Sequence, residues 1–224
     1  MACAKFSKWN SFPLPPTMTL PARTLALPDR GALIAQARHA WLHGGASAAA
    51  AAPLAPWIAR SWQRCLAAGR TPGQRVVFDA VAPSAARHTK ERHAPLLGAA
   101  RPVLERLSRA IAGTRYFALL TDAQGTVIDV GPLAGQDDRA TRDIARVGVD
   151  LSERAVGTTA IGAALAEQSA VWLHRGEHFF DDTSVYTCAG APLFDPLGRC
   201  AGMLDLTGVN VVERPELQHL AEHS

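Results

Sequence analysis

The sequence predicts an α+β fold, in which helices pack on an antiparallel sheet of five to six strands and further helices precede that sheet. Three observations lead to this prediction. Apolar residues recur at helical spacing in the first half of the chain, two pairs of apolar runs are each joined by a tight turn, and short helical segments separate those pairs. Runs joined by tight turns pair antiparallel, and helices grouped outside a βαβ alternation are typical of the α+β class.

The first 53 residues are predicted to be a flexible or partly helical extension. Residues 1–29 are rich in proline and lack periodicity, and translation could begin at Met1 or at Met18. A short helix is predicted over residues 30–43, and an alanine-rich linker follows it. The apolar face of this helix consists of Leu33, Ile34, Ala37 and Trp41.

A helical segment is predicted over residues 54–112. Its first helix ends at Gly69 and has one apolar face. That face consists of Leu54, Trp57, Ile58, Trp62, Cys65 and Leu66. A second helical stretch covers residues 84–111, and we expect Pro95 and Pro102 to bend or split it because proline interrupts helical hydrogen bonding.

The core domain is predicted over residues 113–215, and residues 216–224 begin a C-terminal helix. Two hairpins and one further strand supply the sheet, and the hairpin turns have typical composition. The strands cover residues 116–121, 126–130, 170–173, 185–194 and 199–206, and the turns cover residues 122–125 and 195–198. Helices are expected over residues 139–147 and 159–167, and Thr158 or Thr159 could cap the second of these.

The charge is distributed unevenly along the chain, although the net charge is only +3. Residues 1–110 carry 15 Lys and Arg against 4 Asp and Glu, whereas residues 111–224 carry 8 against 16. The arginines are dispersed and form no dense basic block. A helix surface that packs on an acidic neighbour is therefore favoured over direct nucleic-acid binding.

The expected location is the cytoplasm. The sequence contains no run that would serve as a signal peptide or a membrane span. Its four cysteines are widely spaced, as is typical of a reducing compartment. They are Cys3, Cys65, Cys188 and Cys200.

Motifs of several catalytic modules are missing from the sequence. None of the lysines follows a glycine, so a phosphate-binding loop and its ATPase are not expected, and no helix-turn-helix is evident. The G-x-S-x-G motif of serine hydrolases is also missing. Adjacent carboxylates at residues 137–138 and 181–182 are typical of solvated turns rather than of an acid–base pair.

Residues 174–178 read HRGEH and match the H-x-x-E-H pattern of some zinc hydrolases. That pattern needs both histidines on one helical face. The preceding residues predict a strand and Gly176 would interrupt a helix, so we expect neither a metal site nor any other cofactor.

Cys188 and Cys200 raise the alternative of thiol chemistry. If Phe194 pairs with Arg199, then Cys188 faces Asp205 and the two thiols point to opposite faces of the sheet. A disulfide between them is then not expected. Packing as buried apolar side chains is favoured over redox catalysis.

Residues 148–208 carry a resemblance to a known family. In order, they contain GTTAIG, EHF, a cysteine within an apolar run, and GMLDLTG; residues 61–65 also read SWQRC. This set resembles the GAF sensory domain of the AcoR-type, sigma-54-dependent bacterial transcription activators. The resemblance implies a GAF fold, a small-molecule effector, a homodimer, and ATPase and DNA-binding domains elsewhere on a longer chain. It implies no enzyme activity.

The resemblance also implies an apolar pocket between the sheet and the helices. Candidate ligand-binding residues are Phe117, Leu119, Glu153, Thr158, Thr159, Ile161, Trp172, His178, Phe179, Tyr186 and Cys188. The family pattern commonly has Asn at position 159 and Trp at positions 151 and 186, where this chain has Thr159, Leu151 and Tyr186. The identity of the ligand is therefore not transferred.

Two alternatives remain open at this stage. One is an interaction or dimerisation module of the same fold whose core is filled, which the presence or absence of a cavity would address. The other is an enzyme, either a thiol reductase, a chemistry that one GAF family uses, or a zinc hydrolase.

Overall fold

In a computed structural model of the chain, which describes residues 29–43, 54–78, 80–133 and 138–223, five strands form one antiparallel sheet. The strands are β1 (Tyr116–Asp122), β2 (Val127–Val130), β3 (Val171–His174), β4 (Tyr186–Phe194) and β5 (Cys200–Val209). Their order across the sheet is β2-β1-β5-β4-β3. The predicted α+β class and the predicted size of the sheet are confirmed.

Helices flank this sheet along the described part of the chain. They are α1 (Arg30–His43), α2 (Pro56–Ala67), α3 (Pro83–Arg92), α4 (Ala94–Ala110), α5 (Arg139–Ile144), α6 (Glu153–Val156), α7 (Ala160–Glu167) and α8 (Leu217–Glu222), with 3-10 turns at Arg175–Glu177 and Asp181–Thr183. The helical stretch predicted over residues 84–111 is split at His93. Pro95 lies in the first turn of α4, where its missing N–H removes no helical hydrogen bond. The predicted tail up to residue 28 and the linker of residues 44–53 lie outside the described residues.

Apolar layers cover both faces of the sheet, so every residue of β1 is buried. Side chains alternate along the strand. Phe117 and Leu119 face the layer that contains α7, while Ala118 and Leu120 face the layer formed with α4 and α8. The first of these layers contains a small cavity beside the sheet.

The β4–β5 hairpin has a different register from the predicted one. Phe194 pairs with Cys200 rather than with Arg199, and a bulge follows between Leu193 and Phe194. The reason lies in the turn, where the Asp195 carboxylate accepts the Arg199 N–H at 2.9 Å and so keeps Arg199 in the loop. Cys188 consequently pairs with residue 207 instead of residue 205. Because the total shift is two residues, Cys188 stays on the expected face.

Helices α1 and α2 pack on the loop between β3 and β4. Their cluster consists of Ile34, Ala37, Trp41, Leu54, Ile58, Trp62, Cys65, Phe179 and Phe180. The Trp62 indole N–H donates to the main-chain oxygen of Glu177 at 3.0 Å. An ion pair between Arg64 and Glu153 ties α2 to α6. These helices therefore form one packed unit with the sheet, although the domain limits at residues 53, 112 and 215 stay a prediction.

Candidate ligand-binding site

A small cavity lies between the sheet and helices α5 and α7. Its volume is about 30 Å³, above the roughly 10–15 Å³ that a single ordered water needs. It is lined by Phe78, Leu119, Ile144, Leu151, Val156, Thr159, Ala160, Ile161, His178, Thr183, Tyr186, Cys188, Asp205 and Thr207. A larger molecule can enter only if some of these side chains move.

Part of this lining was expected from the sequence. The cavity gathers Leu119, Thr159, Ile161, His178, Tyr186 and Cys188 from the predicted set. Leu151, Thr159 and Tyr186 are the positions at which the chain departs from the AcoR-type pattern, and all three lie on the cavity wall. The departures therefore change the surface that a ligand would contact.

Three predicted aromatic residues lie outside the lining. Phe117 is buried in the same layer but does not reach the cavity. Trp172 lies on the opposite face of the sheet, because alternation along β3 turns it away, and the Arg30 guanidinium stands 4.7 Å from the centre of its ring. Phe179 packs edge-on against Phe180 beneath the N-terminal helices, with ring centres 5.1 Å apart.

Glu153 and Thr158, also predicted to contact a ligand, instead face α2. The Ser61 hydroxyl lies 2.6 Å from Glu153 Oε2 and 2.7 Å from Thr158 Oγ1. The Arg64 guanidinium donates to Glu153 Oε1 at 2.6 Å. Glu153 and Thr158 therefore bind α2 and do not line the cavity.

The adjacent Thr159 caps α7 at the cavity wall. Its hydroxyl oxygen accepts the Gly162 N–H at 3.1 Å, as expected for an N-cap. Gly162 lies in the first turn of α7 and permits a close approach. A Cβ at this position would lie 2.6 Å from the main-chain nitrogen of Glu153, so the glycine lets α7 approach the start of α6.

The cavity also contains residues that the sequence analysis did not identify. The lining residues that were not predicted are Phe78, Ile144, Val156, Ala160, Thr183, Asp205 and Thr207. Asp205 and Thr207 alternate with leucines in an otherwise apolar strand, so their side chains share one face. That alternation was a signal by which both could have been found.

Polar groups form a connected series at one end of the cavity. The Thr207 hydroxyl contacts Asp205 Oδ2 and lies 3.4 Å from Cys188 Sγ. Cys188 Sγ lies 3.8 Å from His178 Nε2. His178 Nδ1 lies 2.9 Å from the main-chain oxygen of Arg175, so Nδ1 carries the proton and Nε2 is the free acceptor.

Burial favours the neutral form of each titratable group in this series. It raises the pKa of the Asp205 carboxyl to about 7 and lowers the pKa of the His178 imidazole to about 4. It also raises the pKa of the Cys188 thiol well above its ordinary value. A protonated thiol beside a neutral imidazole is a poor nucleophile, so the arrangement does not favour thiol catalysis.

The HRGEH segment does not gather its side chains into a metal site. His174 Nδ1 lies 2.7 Å from the Thr187 hydroxyl, and the Glu177 carboxylate pairs with Arg30 at 2.6 Å. His178 points to the cavity instead. In the part of the chain that the structure describes, three ligand side chains approach one another only at His219, Glu222 and His223, on the exposed surface of α8.

Comparison with known proteins assigns the chain to a family. A family model described as the N-terminal domain of MimR matches residues 32–224. The chain belongs to the MimR N-terminal domain family. The chain is 33% identical over 165 residues to the acetoin catabolism regulatory protein of Cupriavidus necator, and the match covers 73% of this chain and 25% of that protein.

A second relative comes from another bacterial group. The chain is 31% identical over 115 residues to the propane 2-monooxygenase operon transcriptional activator MimR of Mycolicibacterium smegmatis, covering 50% of this chain and 20% of that protein. The chain thus spans about a quarter or less of the length of these curated relatives. It is a sensory N-terminal domain of AcoR- and MimR-type transcriptional activators.

A solved structure has a similar fold. The chain aligns with a chain of the E. coli DhaR(N)–DhaL complex with a TM-score of 0.67 and 21% identity, over 75% of this chain and 57% of that chain. The likeness shows the GAF-like α+β fold. Among the described residues, none of the helices combines the length and the hydrophobicity needed to cross a bilayer.

Proposed function

We propose that this domain binds a small metabolite in the cavity beside Cys188 and thereby controls the output of a longer activator. The observation that carries the proposal is the cavity itself, which has apolar walls and one polar end and lies where the family resemblance implies a pocket. Two relatives are named for acetoin catabolism and for propane oxidation, and both compounds are small.

Because the cavity is small, a metabolite must displace part of the lining as it enters. Phe78 is half-buried and lies in the irregular segment between α2 and α3, so it can move at lower cost than a side chain on the sheet. Binding would then favour a conformation that the unliganded domain populates weakly.

Movement at the cavity can reach the N-terminal helices through two adjoining contacts. The main-chain oxygen of His178 accepts a hydrogen bond from Arg38 of α1. Thr158, next to the cavity-lining Thr159, contacts Ser61 of α2. The proposed output partners are a second copy of the chain and the ATPase and DNA-binding domains of a longer activator. We propose no catalysis and no direct nucleic-acid binding by this domain. We also propose that the activator acts in the cytoplasm.

A second candidate is an interaction module with a packed core. The enclosed volume of about 30 Å³ favours it, because a core this full needs no ligand. The DhaR N-terminal region, which has a similar fold, occurs in a complex with the protein DhaL. In this candidate the domain would bind a protein through its outer helices.

A thermal-shift screen, followed by calorimetry on hits, separates the two candidates. The panel contains small alcohols, ketones, aldehydes and aromatics. A ligand at one hundred times its Kd should stabilise the domain by about 2.7 kcal/mol. Cys188→Met would fill the cavity and abolish this shift, whereas Cys200→Met, on the half-buried end of β5, should retain it.

The sensor and the interaction module predict different outcomes. Retention of the ligand-induced shift by Cys188→Met would show that the ligand binds elsewhere. If no compound shifts the wild-type domain and a protein partner is captured in a defined complex, the interaction module is the better account.

A further inference from the structure

Asp205 carries a buried oxygen atom that has no hydrogen-bond partner. The residue lies in the middle of β5 with 1% of its surface exposed, and its side chain lines the cavity. Oδ2 contacts the Thr207 hydroxyl, but Oδ1 contacts no donor. A buried acceptor without a partner costs on the order of 1–3 kcal/mol, so an unsatisfied oxygen on a residue that lines a cavity indicates a missing donor.

The neighbouring hydrogen bonds determine what Oδ1 can accept. His178 Nδ1 donates to a main-chain oxygen, which leaves Nε2 to accept the Cys188 thiol proton. Cys188 Sγ can then accept the Thr207 proton. The Thr207 oxygen in turn accepts a proton from Oδ2 of the neutral carboxyl, and Oδ1 remains a carbonyl-type acceptor.

The same conclusion holds for the ionised carboxyl. In that state the Thr207 hydroxyl donates to Oδ2. Oδ1 is again an acceptor, because a carboxylate oxygen has no proton to donate. The cavity therefore offers an unpaired acceptor when Asp205 is ionised, and also when the neutral carboxyl carries its proton on Oδ2. A ligand with a hydrogen-bond donor would satisfy it.

We propose that Asp205 selects a short-chain neutral alcohol, whose hydroxyl donates to Oδ1 while its hydrocarbon part contacts the apolar wall. This inference rests on the proposed function, namely that the cavity binds an effector. A ketone of the same shape has no proton to donate and leaves Oδ1 unsatisfied. An ammonium ion carries three donors into a lining that presents one unpaired acceptor, and its charge would be desolvated among apolar side chains.

The size of the cavity restricts the alcohol to a few carbon atoms. The volume is only about 30 Å³, so every additional carbon requires further displacement of the lining. Propan-2-ol and propanone form a suitable test pair because they share a carbon skeleton and differ in the donor. Butan-2-ol and butanone form a second pair.

The test is calorimetric titration of the chain with both pairs and with propan-2-amine at pH 7. Wild-type protein should bind each alcohol at least about tenfold more tightly than its ketone, the effect of one satisfied hydrogen bond. Asp205→Asn should keep the preference, since its amide can donate to Thr207 and leave its carbonyl oxygen facing the cavity. Asp205→Leu should reduce the alcohol-to-ketone ratio to about one.

Equal binding of alcohol and ketone by the wild-type domain would overturn the assignment while leaving a ligand-binding domain in place. Tighter binding of the amine would overturn the neutral class in the same way. Binding of aromatics or aldehydes alone, with neither alcohol bound, would also refute Asp205 as the selective group. If no compound of any class binds, the proposed sensor function itself fails. Because the ratio is measured within one protein, it does not depend on how well a variant folds.

Discussion

Nη2 of Arg38 lies 2.6 Å from the main-chain oxygen of Phe179. The same guanidinium contacts the main-chain oxygen of His178 and pairs with the carboxylate of Asp181 at 2.7 Å. One side chain of α1 thus holds the loop that brings His178 to the cavity. This contact joins α1 directly to the loop that lines the cavity.

Arg38→Lys should loosen that loop, because an ammonium group cannot reach the several acceptors that the planar guanidinium spans. We expect the free energy of unfolding to fall by about 1–3 kcal/mol. Amide hydrogen exchange in residues 174–183 should accelerate. Arg139→Lys is the matched control, because its ion pair with Asp143 is exposed at the arginine. Equal stability of the two variants in urea would argue against a stabilising role for the contacts between Arg38 and the loop.

Gly162→Ala should destabilise the domain by about 1–3 kcal/mol through overpacking. The added Cβ would lie 2.6 Å from the main-chain nitrogen of Glu153, and main-chain atoms cannot rotate aside. Gly98→Ala, inside α4, meets nothing within 4 Å and should stabilise by about 0.5–1 kcal/mol through helix propensity. Urea denaturation measures both, and the same sign for both would contradict the packing argument.

Thr159→Ala should lower the free energy of unfolding by about 1 kcal/mol, because it removes the oxygen that accepts the Gly162 N–H. Thr159→Asn, which introduces the residue common in the AcoR-type pattern, should stay within about 0.5 kcal/mol of the wild type because Asn also caps helices. Thermal and chemical denaturation would measure the difference. An asparagine variant as unstable as the alanine variant would refute the capping role.

Asp205 and His178 should affect the pH dependence of stability with opposite sign. The pKa of Asp205 is raised by burial to about 7 in the folded state, so its stabilising contribution is full below its ordinary value of 3.8 and is lost as the pH rises through about 7. The pKa of His178 is lowered by burial from 6.5 to about 4, so its contribution is full above pH 6.5 and is lost as the pH falls through about 4. Tyr186 and Cys188, the other titratable groups of the lining, stay neutral across this window because burial raises the pKa of each.

Asp205→Asn isolates the first of these contributions. The variant should match the wild type near pH 4 and exceed its stability near pH 8 by an amount on the order of 2–4 kcal/mol. The His178 contribution is common to both proteins and cancels in the difference. Urea denaturation at pH 4 and at pH 8 measures this difference in stability between the two proteins. A constant difference between pH 4 and pH 8 would show that Asp205 ionises as freely as an exposed carboxyl.

Local patterns were enough to predict most elements. The split at His93 follows from Pro95, and the two hairpins follow from turn composition flanked by apolar runs. The register assumed for the β4–β5 hairpin differs from the observed one, because the register depends on how the Asp195 side chain closes the turn. Hydrophobic periodicity contains no information on that hydrogen bond.

The site was predicted less completely than the fold. Cys188, which the family resemblance implied as a lining residue, lies on the cavity wall, and alternation along its strand sets that face. Trp172 was assigned to the cavity although its neighbours Val171 and Leu173 occupy the cavity face, so alternation places it on the other one. Phe179 follows no strand periodicity, and its position under the N-terminal helices depends on tertiary packing.

By itself, the sequence determined the α+β class, the order of the elements and the residues that cap or turn the chain, because these depend on contacts between near neighbours. Only the tertiary structure decided which side chains share the cavity and what protonation they favour. The single unpaired oxygen of Asp205 becomes visible only when β4, β5 and the loop carrying His178 meet. Burial and hydrogen-bond satisfaction depend on all neighbours in space, and a linear pattern contains only those along the chain.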